Sequence, residues 1–96
     1  MIGVMVTIPL GDNYDAEALR KAAVVSRARF EGMAGLVSKT YLLDPVRREA
    51  RNFYVWQDED VARSFFTTET LAHIAKVYGA APKLDIVEVA AQVVNE

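Results

Sequence analysis

GLVSKTYLLDPVRREARNFYVWQDED, residues 35–60, decides how the rest of the chain folds. Residues 36–43 read as a strand, and Asp44-Pro45 opens a charged connection, DPVRREAR, that is too polar to be buried. A further strand is expected at about 52–57, which makes the pair a hairpin. Lys39 stands in the middle of the first of these strands, with Tyr41 two residues on, and Tyr54 and Trp56 lie two apart in the next. By the two-residue period of a strand, Tyr54 and Trp56 share one side, while Phe53 and Val55 fill an opposite, wholly apolar side.

Working outward from the hairpin, Ile2, Val4, Val6 and Ile8 alternate with other residues in a strand that Pro9 and Gly11 end. Asp15 is placed to cap a helix with Glu17 in its first turn. Leu19, Ala23, Ser26, Phe30 and Met33 recur along it at helical spacing, and Gly32 or Gly35 should stop it. After the hairpin a second helical stretch begins at Asp58, with Val61, Phe65 and Phe66 on its apolar side. Thr67 or Thr68 re-caps the chain before ETLAHIAKVYG, which ends at Gly79. LDIVEVAAQVV then supplies a last strand, with Val87 and Val89 on one face and Ile86 and Glu88 on the other.

The order is βαββαβ, so the expected fold is α+β and ferredoxin-like: one domain, residues 1–96, with a four-stranded antiparallel sheet and both helices on one face. The other face is left bare. A patch of that kind calls for a second copy, so a homodimer packed sheet to sheet is expected, with the side carrying Tyr54 and Trp56 turned inward.

Composition narrows the functions. The 96 residues are about half apolar, carry a net charge of −2 with both signs scattered, and include no cysteine. Disulfide frameworks, thiolate catalysis and cysteine-based zinc sites are therefore out, and neither a nucleic-acid partner nor a membrane partner is indicated. The opening MIGVMVTIPLG has no basic leader and is far shorter than the roughly 20 residues of a spanning helix, so a cytoplasmic protein is expected.

Three runs, GLVSKTYLLD, FYVWQDEDVARSFF and YGAAPKLDIVEVAAQVV, make the chain resemble the ydhR-type mono-oxygenase family of the dimeric α/β-barrel superfamily over roughly residues 35–94. The features that carry the likeness are Gly35 followed by an inward Lys39, then Tyr54, Trp56 and Asp58, and a late Tyr78-Gly79. Where that family usually opens the third strand with two glycines, this chain has Arg51 and Asn52. The resemblance implies a dimeric α/β barrel and a monooxygenase-like activity without cofactor on a small aromatic, phenolic or quinol compound.

Such chemistry asks for a dry pocket and for groups that help the substrate become an anion able to reduce oxygen. Lys39 is a candidate to stabilise the anion, Asn52 to donate an amide hydrogen to it, and His73, the single histidine, to act as base. Tyr41, Tyr54, Trp56 and Glu88 are the candidates for contact with the substrate. Each has a plainer reading. Lys39 pairs with Glu88 or with a carboxylate of a partner subunit, the aromatics pack a dimer interface, and His73 faces solvent at a rim while Leu71, Ile74 and Tyr78 form the core stripe. Arg47, Arg48 and Arg51 read as a solvated loop. No spacing supports a metal site. The competing functions are a non-catalytic binder of a small apolar ligand and a purely structural dimeric barrel.

Overall fold

The computed structural model describes residues 1–95. Four strands and three α-helices follow one another as β1 (Ile2–Pro9), α1 (Ala16–Phe30), β2 (Leu36–Asp44), β3 (Glu49–Trp56), α2 (Glu59–Phe65), α3 (Thr68–Tyr78) and β4 (Lys83–Glu88), with a short 3-10 turn at Gly11–Asn13. The strands form one antiparallel sheet in the order β2-β3-β1-β4, so β1 is central and β2 and β4 are its edges.

Each helix begins where a side chain can take up one of the backbone N–H groups left without a partner in the first turn. Asp15 accepts from Ala18 N at 3.1 Å, Asp58 from Val61 N at 2.9 Å, and Thr67 from Thr70 N at 3.2 Å. The second helical stretch is thus split at Thr67, as the sequence suggests. Gly35, at φ 81°, carries the chain from α1 into β2. A Cβ there would stand 2.4 Å from Val61 Cγ1, so both its left-handed backbone and the close approach of α2 require glycine.

Alternation in β1 buries Val4, Val6 and Ile8 completely. Burial of side chains this size stabilises by about 1.5–3 kcal/mol each. The pairings Val4↔Tyr54, Val6↔Asn52 and Lys39↔Tyr54 place Asn52, Tyr54, Lys39 and Tyr41 on that same face. The helices cover it, with Leu19, Phe30, Val61, Phe65, Phe66, Ile74 and Tyr78 packed against the core. Tyr54 and Trp56 therefore lie under the helices, not on the bare face. The uncovered side carries Met5, Phe53, Val55, Leu42 and Val87. The expectation had the sides reversed because alternation separates two faces of a strand without saying which one the helices take.

Two strand limits also move. β3 starts at Glu49 because the charges of the connection are paired: Arg51 bonds Asp44 across the hairpin and Glu49 along its own strand, at 3.1 Å. Asp44 Oδ1 accepts from Val46 N and Arg47 N, which tightens the turn to Pro45–Arg48. β4 ends at Glu88 because its partner runs out: Glu88 is opposite Ile2, and only Val89 N continues, bonding Met1 O at 3.0 Å.

Candidate functional site

Between α1 and α3, over β2 and β3, lies a cavity of about 350 Å³. It exists because of what α1 presents there. Ala18, Ala22 and Ser26 stand at four-residue intervals and line the cavity, and three small side chains cannot fill the space to Thr70, His73, Ile74 and Val77 of α3. Leu10, Leu19, Phe30, Phe65 and Tyr78 complete the apolar walls.

Lys39 projects into this space from β2. Its Nζ lies 3.5 Å from the centroid of the Phe30 ring, 4.4 Å from that of Tyr41 and 4.7 Å from that of Tyr54. No carboxylate pairs with it among the described residues. Burial, helped by the positive charge of Arg29, lowers its pKa from the ordinary 10.5 to about 7. The aromatic faces pull the other way, since each favours the ammonium by about 0.5–2 kcal/mol. The result is a nitrogen held by rings, with no counterion among the described residues, able to carry or release its proton near neutrality.

Asn52 is only 6% exposed and borders the cavity, and none of the described side-chain hydrogen bonds involves its amide. Tyr54 follows two residues on, on the same face of the strand; burial, with Tyr78 and Tyr41 nearby, pushes its phenol well above the usual range, so it stays a neutral hydroxyl. Ser26 and Tyr41 share a hydroxyl hydrogen bond of 2.6 Å, and Ser26 Oγ also lies 3.2 Å from the Ala23 carbonyl. With Ser26 donating to that carbonyl, the Tyr41 hydroxyl donates to Ser26.

Lys39, Asn52, Tyr54 and His73 thus line a single cavity, with His73 on an exposed part of α3. Tyr41 lies behind Lys39, bordering two adjoining hollows. Trp56 is elsewhere: 1% exposed, it stacks on Tyr54 at 5.8 Å and 9° and is closed in by Phe65 at 5.1 Å and Phe66 at 6.0 Å. It packs the core and borders none of these hollows, and its Nε1 has no hydrogen-bond partner among the described residues. Glu88 is on the far edge strand, three interstrand steps or roughly 14 Å across the sheet from β2, so it neither pairs with Lys39 in this chain nor borders the cavity.

Arg29 is the residue that sequence reasoning missed. Its Cζ sits 5.8 Å from the same Phe30 ring that Lys39 faces, and it borders the cavity. The available signal was the small-residue stripe of α1, which implies open space on the side where Arg29 and Phe30 emerge. The described residues include no group of three or more histidines and carboxylates placed to hold a metal ion, and no helix long and apolar enough to cross a membrane.

No family profile matches the chain, and no curated protein sequence matches it significantly. Its likeness is structural. Rv0793 from Mycobacterium tuberculosis superposes with a TM-score of 0.68 at 11% identity, over 97% of this chain and 98% of that one. The chain has the ferredoxin-like fold. At that identity the likeness carries the architecture alone, and the chemistry has to be argued from the cavity.

Proposed function

We propose that the protein is a monooxygenase-like enzyme of the ydhR type that works without cofactor on a small aromatic, phenolic or quinol compound bound between α1 and α3. The observation that carries this reading is Lys39: a half-buried amine in an apolar cavity, with no counterion among the described residues, on the same cavity as the Asn52 amide, which takes part in none of the described side-chain hydrogen bonds. The volume, about 350 Å³, suits a ligand of this class.

For an activated methylene between aromatic rings, as in an anthrone, the neutral Lys39 amine takes a ring-activated C–H proton. The ammonium so formed and the Asn52 amide stabilise the resulting enolate oxygen. The anion passes one electron to dioxygen, and the radical pair recombines into a carbon–oxygen bond. The peroxide anion recovers the proton from Lys39, and loss of water leaves a carbonyl. One oxygen atom is in the product and the other in water, so the substrate supplies all the electrons. Tyr54 serves as a hydroxyl donor and His73, at the exposed edge, as a route for protons.

A homodimer belongs to this reading. The side of the sheet away from the helices exposes Leu42 and Val87, at 39% and 47%, and a second sheet packed on it removes that apolar surface from water. The cavity lies on the opposite side and stays open to ligand in such a dimer.

The test is oxygen uptake by metal-free protein offered phenols, hydroquinones and anthrones. Activity should rise with pH through about 7 as Lys39 loses its proton. Lys39→Met, which keeps most of the stem, should lower turnover by roughly ten-fold to a thousand-fold. Ligand binding without oxygen uptake would instead support the non-catalytic binder.

A further inference from the structure

We propose that Lys39 Nζ forms an imine with small aromatic aldehydes and ketones that carry a carboxylate, the carboxylate lying toward Arg29. This goes beyond the oxygenase reading, because it needs a covalent bond at nitrogen and no oxygen.

The geometry supplies what such an amine requires. Nζ is held between the rings of Phe30, Tyr41 and Tyr54 and has no ion-pair partner among the described residues, so nothing must be displaced before it reacts. The walls that hold it are apolar, which favours loss of water. A second cation stands over the same Phe30 ring: Arg29 Cζ at 5.8 Å against Lys39 Nζ at 3.5 Å. Arg29 also lacks a salt-bridge partner among the described residues, so the pair presents one nucleophile and one anion receptor to a single cavity. Desolvation and a cationic neighbour are the two means by which a lysine becomes a nucleophile near neutral pH. With its pKa lowered to about 7, the free-amine fraction of Lys39 at pH 7 is roughly three orders of magnitude above that of an ordinary lysine.

The step balances without an oxidant. The Nζ lone pair forms the C–N bond while the carbonyl π pair moves to oxygen, and a proton passes from nitrogen to that oxygen. The carbinolamine then loses its hydroxyl with a second proton as water, leaving C=N. Hydrolysis reverses it.

The experiment incubates the native protein at pH 7 with 4-carboxybenzaldehyde and sodium cyanoborohydride, which fixes an imine as a secondary amine, and locates the product by peptide mass spectrometry. Lys39 should be labelled at least about ten-fold faster than the exposed Lys21, Lys76 and Lys83, with a rate that rises through pH 7. The N-terminal amine is scored separately. Unfolding in urea should abolish the preference, and Arg29→Gln should slow 4-carboxybenzaldehyde more than benzaldehyde. Equal labelling of the four lysines in the native protein, or no label on Lys39, overturns the proposal. Benzaldehyde reacting as fast as its carboxylated form would overturn the role of Arg29. None of these failures bears on oxygen uptake, which needs no bond to nitrogen.

Discussion

Under the helices, the same two strands build a closed aromatic block around Trp56 at one end and an open cationic cavity around Lys39 and Asn52 at the other. The strand residues alternate alike in both places, so the difference comes from the covering helices. α2 and the residue after it set Phe65 and Phe66 over Trp56, and their rings meet at 4.9 Å. α1 sets Ala18, Ala22 and Ser26 over the other end and leaves it unfilled. Tyr54 sits between the two, stacked on Trp56 and edge-on to Phe30 at 6.1 Å, so the closed block is the wall against which the cavity is built.

The largest effect should come from breaking that wall. Trp56→Ala removes a fully buried aromatic and should cost about 3–5 kcal/mol, read from denaturant unfolding. A small loss of stability with a large loss of ligand affinity would mean that Trp56 lines the site after all. Next comes the turn from α1 into β2. Gly35→Ala puts a methyl group against Val61 at a residue with positive φ and should cost about 1–3 kcal/mol by the same measurement. The smallest effect on stability, and the sharpest on binding, is expected from Ala22→Leu. It places an isobutyl group in the cavity, should change stability by less than about 1.5 kcal/mol, and should weaken a bound aromatic carboxylate by about ten-fold or more in calorimetry. Unchanged affinity there would place the ligand elsewhere.

Much of this was legible in the residues. Asp15, Asp58 and Thr67 announce the helix starts, because a cap is a local interaction between a side chain and a backbone N–H three residues on. The element order gave the topology for the same reason. The period of two also grouped Lys39 with Tyr41 and Tyr54 with Trp56. What it could not give was the side each group takes, since that depends on where the helices pack, nor that Trp56 and Tyr54, two residues apart, end in different surroundings. The start of β3 at Glu49 was hidden because charged residues read as loop unless their pairing partners across the strand are known. Arg29 was hidden because its role depends on the third dimension: α1 must lie over β2 before its guanidinium meets Lys39.

Lys39 is a half-buried amine with no counterion among the described residues. Its pKa in the folded protein is lowered, so the folded state binds fewer protons than the unfolded state between about 7 and 10.5. The destabilisation from holding the ammonium in the cavity is therefore fully present below pH 7 and is relieved as pH rises through this window. The stability gained by Lys39→Met over the wild type should shrink over the same range. The direct measurement is the NMR titration of the lysine side-chain carbons next to Nζ, assigned by comparison with Lys39→Met. Lys39 should titrate near 7, far below the ordinary lysine value of 10.5. A Lys39 midpoint near the ordinary 10.5 would mean that its charge is solvated or paired, and would contradict this reading.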